Sequence, residues 1–222
     1  IMNDQLSKSD TVKSFKIILV GSSAVGKSTL LVRYIDDTFN PQKPTVGLDY
    51  RSKKITLNGE TFNMELWDSA GQERYRTIVF NYFKLSKAAC VVFDLTVPQS
   101  LEETKFWFKQ VNNHCGGLIP KILIGNKSDL LKDLGGKEEV DTHMNSIMPQ
   151  INEIEKEFGA KFFMMSAYTG EGVSEAFDYL FNELYKQYGG EKASDKKPAN
   201  GFALADKPMN LKDTKKDKKC CA

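Results

Sequence analysis

The residues best equipped for chemistry begin at Gly21. Gly21-Ser22-Ser23-Ala24-Val25-Gly26-Lys27-Ser28 fits the pattern G-x-x-x-x-G-K-[S/T]. The pattern follows the apolar run Phe15 to Val20 directly and leads straight into a helical pattern. A buried strand that hands a glycine-rich loop to a helix N-terminus turns backbone N–H groups inward. Those groups and the helix dipole together attract phosphate oxygens. Ser23, Ala24, Val25, Gly26, Lys27, Ser28 and Thr29 are the expected phosphate-binding positions. In this motif the lysine, here Lys27, reaches the β- and γ-phosphates, and the Ser28 hydroxyl serves Mg²⁺. A nucleoside triphosphate is the expected ligand.

Asn126-Lys127-Ser128-Asp129 adds the base. It follows the apolar stretch Lys121 to Gly125. The Asp129 carboxylate can accept hydrogen bonds from guanine N1–H and the exocyclic N2 amine. Adenine presents an acceptor at the first position and no amine at the second. A site built this way leaves a carboxylate unpaired with the wrong base, which can reject it by roughly 10⁴–10⁵. Asn126 is expected to hold neighbouring loops together, and the Lys127 stem to lie along the base. Alone, these four residues read as a polar loop. Paired with the phosphate loop they point to a guanine nucleotide.

Alternating strand and helix patterns must position both motifs. Strand candidates are 15–20, 47–57, 61–67, 88–94, 120–125 and 161–165, with Asn58-Gly59 as a two-residue hairpin turn between the second and third. Helical patterns fall near 27–36, 99–114, 145–158 and 173–187. The expected fold class is α/β: a six-stranded, mostly parallel sheet with one antiparallel strand and helices on both faces. In such sheets ligands sit beyond the carboxyl ends of the strands, where both motifs fall.

With 41% hydrophobic and 27% charged residues among 222, the chain can bury a real core. No apolar run approaches the ~20 residues needed to span a bilayer. The polar first residues contain no secretory h-region, so a cytosolic protein is expected. Residues 189–222 carry nine lysines against five acids, so a chain of net charge +2 has a slightly acidic remainder of −2. That balance argues against nucleic acid as a partner and places the positive charge where an anionic membrane surface would meet it. Cys90 lies in an apolar run and reads as core, and Cys115 as a helix end. Cys220-Cys221 sits at the end of the chain, with spacing suited to neither zinc nor a disulfide framework. The expected organisation is a flexible segment 1–13, one nucleotide-binding domain 14–188, and a flexible tail 189–222 with no apolar period to order it.

Two further stretches, Trp67-Asp68-Ser69-Ala70-Gly71-Gln72-Glu73 and Ser166-Ala167-Tyr168, follow in order. Together the motifs resemble the Ras superfamily of small GTPases. Thr45-Val46-Gly47-Leu48-Asp49-Tyr50, Arg74-Tyr75-Arg76-Thr77-Ile78 and Asn81-Tyr82-Phe83 resemble the Rab branch. The resemblance covers roughly residues 15–188 and the terminal cysteine pair, and implies a single P-loop GTPase domain.

Carried over by position, it implies that Thr45 gives its hydroxyl to Mg²⁺ and its N–H to the γ-phosphate. Asp68 would hold the metal through water. The Gly71 N–H would meet the γ-phosphate, and Gln72, the catalytic residue, would orient the attacking water. Phe39 would pack on guanine, while Ser166, Ala167 and Tyr168 would complete the base site, the Ala167 N–H facing the base carbonyl. Cys220 and Cys221 resemble doubly geranylgeranylated endings, which implies the cytosolic face of an endomembrane.

The implied activity is slow GTP hydrolysis to GDP and phosphate, dependent on an activating protein, in a monomer that controls vesicle traffic. Implied partners are an exchange factor, that activating protein, effectors reading residues 40–50 and 70–82, and prenylation and GDP-dissociation chaperones. The alternatives are a Ras-like signalling GTPase of the same chemistry and a nucleotide-dependent binding module with negligible hydrolysis. Thr45 and Gln72 argue against the module. A P-loop kinase would leave Asp129 unexplained.

The chain also departs from the family pattern. Asn40 to Pro44 is one residue short and carries Pro44, which restricts Lys43 to extended conformations. Lys84-Leu85-Ser86-Lys87 replaces an Arg-Gly-Ala segment, and Tyr168 stands where lysine is usual. Asp129 to Ser166 spans 37 positions. An insertion over Leu130 to Met148 is expected there, as a surface loop or a partner site.

Overall fold

Strand β1 (Lys13–Val20) shows why the apolar runs are continuous rather than alternating. Phe15, Ile17 and Leu19 are buried on one face of the sheet, and Ile18 and Val20 on the other. A strand covered on both faces has no side left for water. The computed structural model describes residues 12–45, 47–71, 80–115 and 118–189. The expectations resting on Val46, on Gln72 to Ile78 and on the tail, including Cys220 and Cys221, lie outside the described residues.

The chain continues through α1 (Lys27–Asp36), β2 (Leu48–Leu57), β3 (Glu60–Ser69), β4 (Ala88–Asp94), α2 (Pro98–Glu102) and α3 (Thr104–His114). It then runs through β5 (Lys121–Asn126), a 3₁₀ segment (Ser128–Leu134), α4 (Lys137–Phe158), β6 (Lys161–Met164) and α5 (Val173–Tyr188). The sheet order is β2-β3-β1-β4-β5-β6. β2 and β3 pair antiparallel and every other pair is parallel, so the expected fold class is observed. Asn58 (φ 50°) and Gly59 (φ 81°) both adopt left-handed backbone between Leu57 and Glu60, the geometry a two-residue hairpin turn demands.

Each face carries its own core. α1 and α5 cover one, where the Tyr34 and Phe177 rings stack at 4.0 Å. α3 and α4 cover the other, with Trp107, Phe108, Ile151 and Ile154 wholly buried. Cys90 belongs to the first core, as expected, and Cys115 closes α3. Phe177→Ala removes the stacked ring from the first core. It should cost about 3–5 kcal/mol, read as a lower urea midpoint at unchanged slope.

Three local features differ from expectation. The strand expected from residue 15 begins at Lys13. The single helix expected over 99–114 is broken at Glu103, where the Thr104 hydroxyl donates to the Leu101 carbonyl at 2.6 Å and competes with the helical ladder. The largest difference is α4, expected over 145–158 and observed from Lys137. The stretch expected as an inserted surface loop is therefore the 3₁₀ segment followed by the first turns of α4. Val140, Met144, Ile147, Met148, Ile151, Ile154 and Phe158 form one apolar stripe along it, and all pack on the second core. Gly135-Gly136 ahead and Pro149 within had obscured that period. Proline removes one ladder bond but leaves the stripe intact.

Candidate functional site

Five strand ends meet at one edge of the sheet: β1, β3, β4, β5 and, through Met165, β6. A cleft of about 690 Å³ opens there. The loop after β1 supplies one wall. Ala24 (φ 63°) and Gly26 (φ 95°) take left-handed backbone, which turns successive N–H groups inward above the N-terminus of α1. A Cβ on Gly26 would lie 2.4 Å from Asn126 Nδ2, so no larger residue fits. Ser23, Ala24, Gly26, Lys27, Ser28 and Thr29 line the cleft. Val25 does not; its side chain is core, and its carbonyl accepts from Asn126 Nδ2 at 2.9 Å.

Lys27 is 6% exposed and folds back on the loop, donating to the carbonyls of Gly21 (3.0 Å) and Ser22 (2.8 Å). Burial pushes its pKa down to about 8, against the opposing pull of Asp68. The charged form is therefore held at a cost that the unfolded chain, with its lysine near 10.5, does not bear. That cost disappears as pH rises through the folded value, because the unfolded state then binds more protons. The empty protein should gain up to about 2 kcal/mol between pH 7 and 9.5 from this group. Urea midpoints of wild type and Lys27→Met at both pH values check it: the wild type's advantage from alkalinity should be missing in the variant.

Beside Lys27 lies a cluster of hard oxygen donors. Ser28 Oγ and Thr45 Oγ1 stand 2.7 Å apart, Thr45 donates to Asp68 Oδ2 at 3.0 Å, and Ser28 donates to the same oxygen. Asp68 is fully buried at the end of β3, and its Oδ1 has no hydrogen-bond partner. Burial raises its pKa, while the hydroxyls of Ser28 and Thr45 and the Lys27 charge oppose the rise. Two hydroxyls and one carboxylate with spare acceptor capacity fit Mg²⁺, which takes few protein ligands and leaves positions for phosphate and water. Gly71 approaches so closely that a Cβ there would lie 2.5 Å from Ser22 backbone. Its main chain therefore reaches the phosphate loop directly.

At the other end of the cleft stand Phe39, Asn126, Lys127, Asp129, Ala167 and Tyr168. Asn126 bridges, as expected, accepting from Ala167 N–H at 3.1 Å while donating to Val25. The Ser166 hydroxyl donates to Asp129 Oδ1 at 2.5 Å and accepts from the N–H groups of Tyr168 and Thr169. Ser166 thus sits behind the cleft wall, fully buried. The Phe39 and Tyr168 rings meet edge-on at 4.9 Å, 38% and 57% exposed, leaving their faces open to a flat ligand.

Two buttresses of the site belong to no sequence motif. Asp94 at the end of β4 holds Lys127 Nζ at 2.6 Å. Arg33 on α1 donates to the carbonyls of Ala167 (2.9 Å) and Tyr168 (2.7 Å), fixing the third loop from behind. Neither belongs to a motif, because each acts across the sheet rather than along the chain. Pro41, Gln42, Lys43 and Pro44 also line the cleft, as do Leu130, Lys132 and Asp133 of the 3₁₀ segment. On the outer surface Trp67 is half-buried between Tyr50 and Tyr82, which are 46% and 40% exposed.

The family model described as "Ras family" matches residues 16–186. The Ras-related protein RabG2 of Dictyostelium discoideum is 34% identical over 189 residues, covering 84% of this chain and 91% of its own. The GTP-binding protein YPTM1 of Zea mays is 31% identical over 210 residues, covering 94% of this chain and 96% of its own. Ras-related protein Rab-13 of Canis lupus familiaris is 31% identical over 203 residues, covering 91% and 94%.

Proposed function

Since this chain belongs to the Ras family of small GTPases, whose members bind and hydrolyse GTP, we propose that it is a GTP-dependent switch of vesicle traffic. One observation carries the reading. Phosphate-seeking groups (Lys27, Ser28, the α1 N-terminus) and the guanine-matching carboxylate of Asp129, flanked by Phe39 and Tyr168, open into the same cleft from opposite ends. Similarity to Rab proteins over most of the chain supports the trafficking role.

In this reading Asp129 takes guanine N1–H and N2–H, the Ala167 N–H turns from Asn126 Oδ1 to the base carbonyl, and Phe39 covers the ring. Ser23 to Thr29 wrap the phosphates with backbone N–H groups, and Lys27 turns from its two carbonyls to the β- and γ-oxygens. The Ser28 and Thr45 hydroxyls, with Asp68 through water, would hold Mg²⁺, which would supply neutralising charge at those oxygens. Thr45 and Gly71 give their N–H groups to the γ-phosphate, and Gln72 orients the water that attacks in line. In this reading hydrolysis is slow until an activating protein brings positive charge, worth about 10³–10⁵ in rate.

Thr45 and Gly71 lose their anchor with the γ-phosphate, so residues around 40–50 and 70–82 loosen after hydrolysis. Effectors would read the ordered form, with Tyr50, Trp67 and Tyr82 as the aromatic contact. Magnesium-loaded protein stripped of nucleotide should take up GTP far in preference to ATP; equal uptake of the two defeats the reading.

Cys220 and Cys221 complete the proposal as a doubly lipidated anchor, since two chains hold a membrane stably where one does not. Lys215, Lys216, Lys218 and Lys219 add attraction to an anionic leaflet. Changing both cysteines to serine should move the protein from the membrane to the soluble fraction of lysed cells. Unchanged pelleting with membranes would remove the anchor.

A further inference from the structure

The first turns of α4 do more than fill space. His143, three residues beyond Val140 on those turns, has its Nε2 2.7 Å from the Leu95 carbonyl oxygen. A carbonyl can only accept, so Nε2 carries the hydrogen whatever the state of Nδ1. The Leu95 N–H in turn donates to the Asn126 carbonyl at 3.0 Å. The Leu95 side chain presses on the residue before: a Cβ on Gly125 would lie 2.8 Å from its Cδ2. Asn126 is the bridge between the Val25 carbonyl and the Ala167 N–H. A continuous run of contacts thus leads from the first turns of α4 to the base end of the cleft.

We propose that His143 is a positioning residue for guanine recognition, and that the first turns of α4 brace the Asn126–Asp129 loop from outside. The inference rests on the guanine-binding reading above and names a residue that no motif contains. Leu95 has no side-chain donor of its own, and its carbonyl lies at the strand end where the ladder to β5 stops. Without His143 that carbonyl must turn to water, and the peptide that carries the Asn126 contact gains freedom. The consequence falls on the base contacts, because Asp129 lies only three residues beyond Asn126.

The test compares release of GDP and of inosine diphosphate, which lacks the N2 amine, from full-length wild type, His143→Phe and His143→Gln. Phenylalanine keeps the bulk and removes the donor; glutamine restores an N–H. His143→Phe should release GDP about tenfold faster. The GDP-to-inosine diphosphate ratio of residence times should shrink, and His143→Gln should recover most of both. Unchanged GDP release in His143→Phe overturns the proposal. Equal acceleration of both nucleotides also overturns it, because that is what general loosening of the fold would do. If His143→Phe fails to fold, His143→Gln decides alone: a release rate and nucleotide ratio within twofold of wild type support the donor role, and a larger change overturns it. Wild type that retains neither nucleotide defeats the guanine reading first, and this inference with it.

Discussion

Asp129→Asn should lower the affinity for GTP by about 10⁴-fold and erase most of the preference for GTP over ATP. The size of the effect follows from the local geometry. Ser166 Oγ donates to Asp129 Oδ1, so an asparagine would keep its carbonyl oxygen there and turn its NH₂ toward the base. Guanine presents two donors at that edge, and donor would face donor. Adenine presents an acceptor at the same place, so its affinity should not fall. Competition of GTP and ATP for the stripped variant reads both changes, and a loss of less than tenfold for GTP would remove Asp129 from the base site.

Gln72→Leu should leave GTP affinity within about threefold and abolish the acceleration of roughly 10³–10⁵ given by an activating protein. Gly71, the residue before it in the chain, is pinned against the Ser22–Ser23 backbone of the phosphate loop. A leucine offers no hydrogen bond with which to hold water. Single-turnover hydrolysis with and without the activator separates chemistry from binding. Equal activated rates for variant and wild type would take Gln72 out of the reaction.

Legibility of the fold and site in the sequence tracked how locally each feature is encoded. The centre of the sheet was readable because β4 and β5 are buried on both faces and so are written as almost continuous apolar runs, as Ala88 to Phe93 is. The phosphate loop and the Asn126–Asp129 loop were readable because their chemistry is contiguous. Arg33 and Asp94 were not, since each supports a loop more than thirty positions away in the chain or on another strand. The start of α4 was hidden for a different reason. Its stripe spans Val140 to Phe158, but Gly135-Gly136 and Pro149 carry the residue types of a loop, and tertiary packing overrides that local preference. The break at Glu103 is likewise invisible, because Leu101, Thr104, Trp107, Phe108 and Val111 keep a helical period across it.

The ammonium of Lys13, at the start of β1, reaches the Gly189 carbonyl at 3.3 Å, and Phe15 and Tyr188 bring their rings to 6.3 Å. Because β1 runs toward the cleft, this seam lies at the far pole of the domain. The described chain therefore enters and leaves the domain on the side away from the cleft, which stays open to a nucleotide-loading partner. A fluorescent fusion ahead of Lys13 would attach at that far pole, leaving the loading side clear.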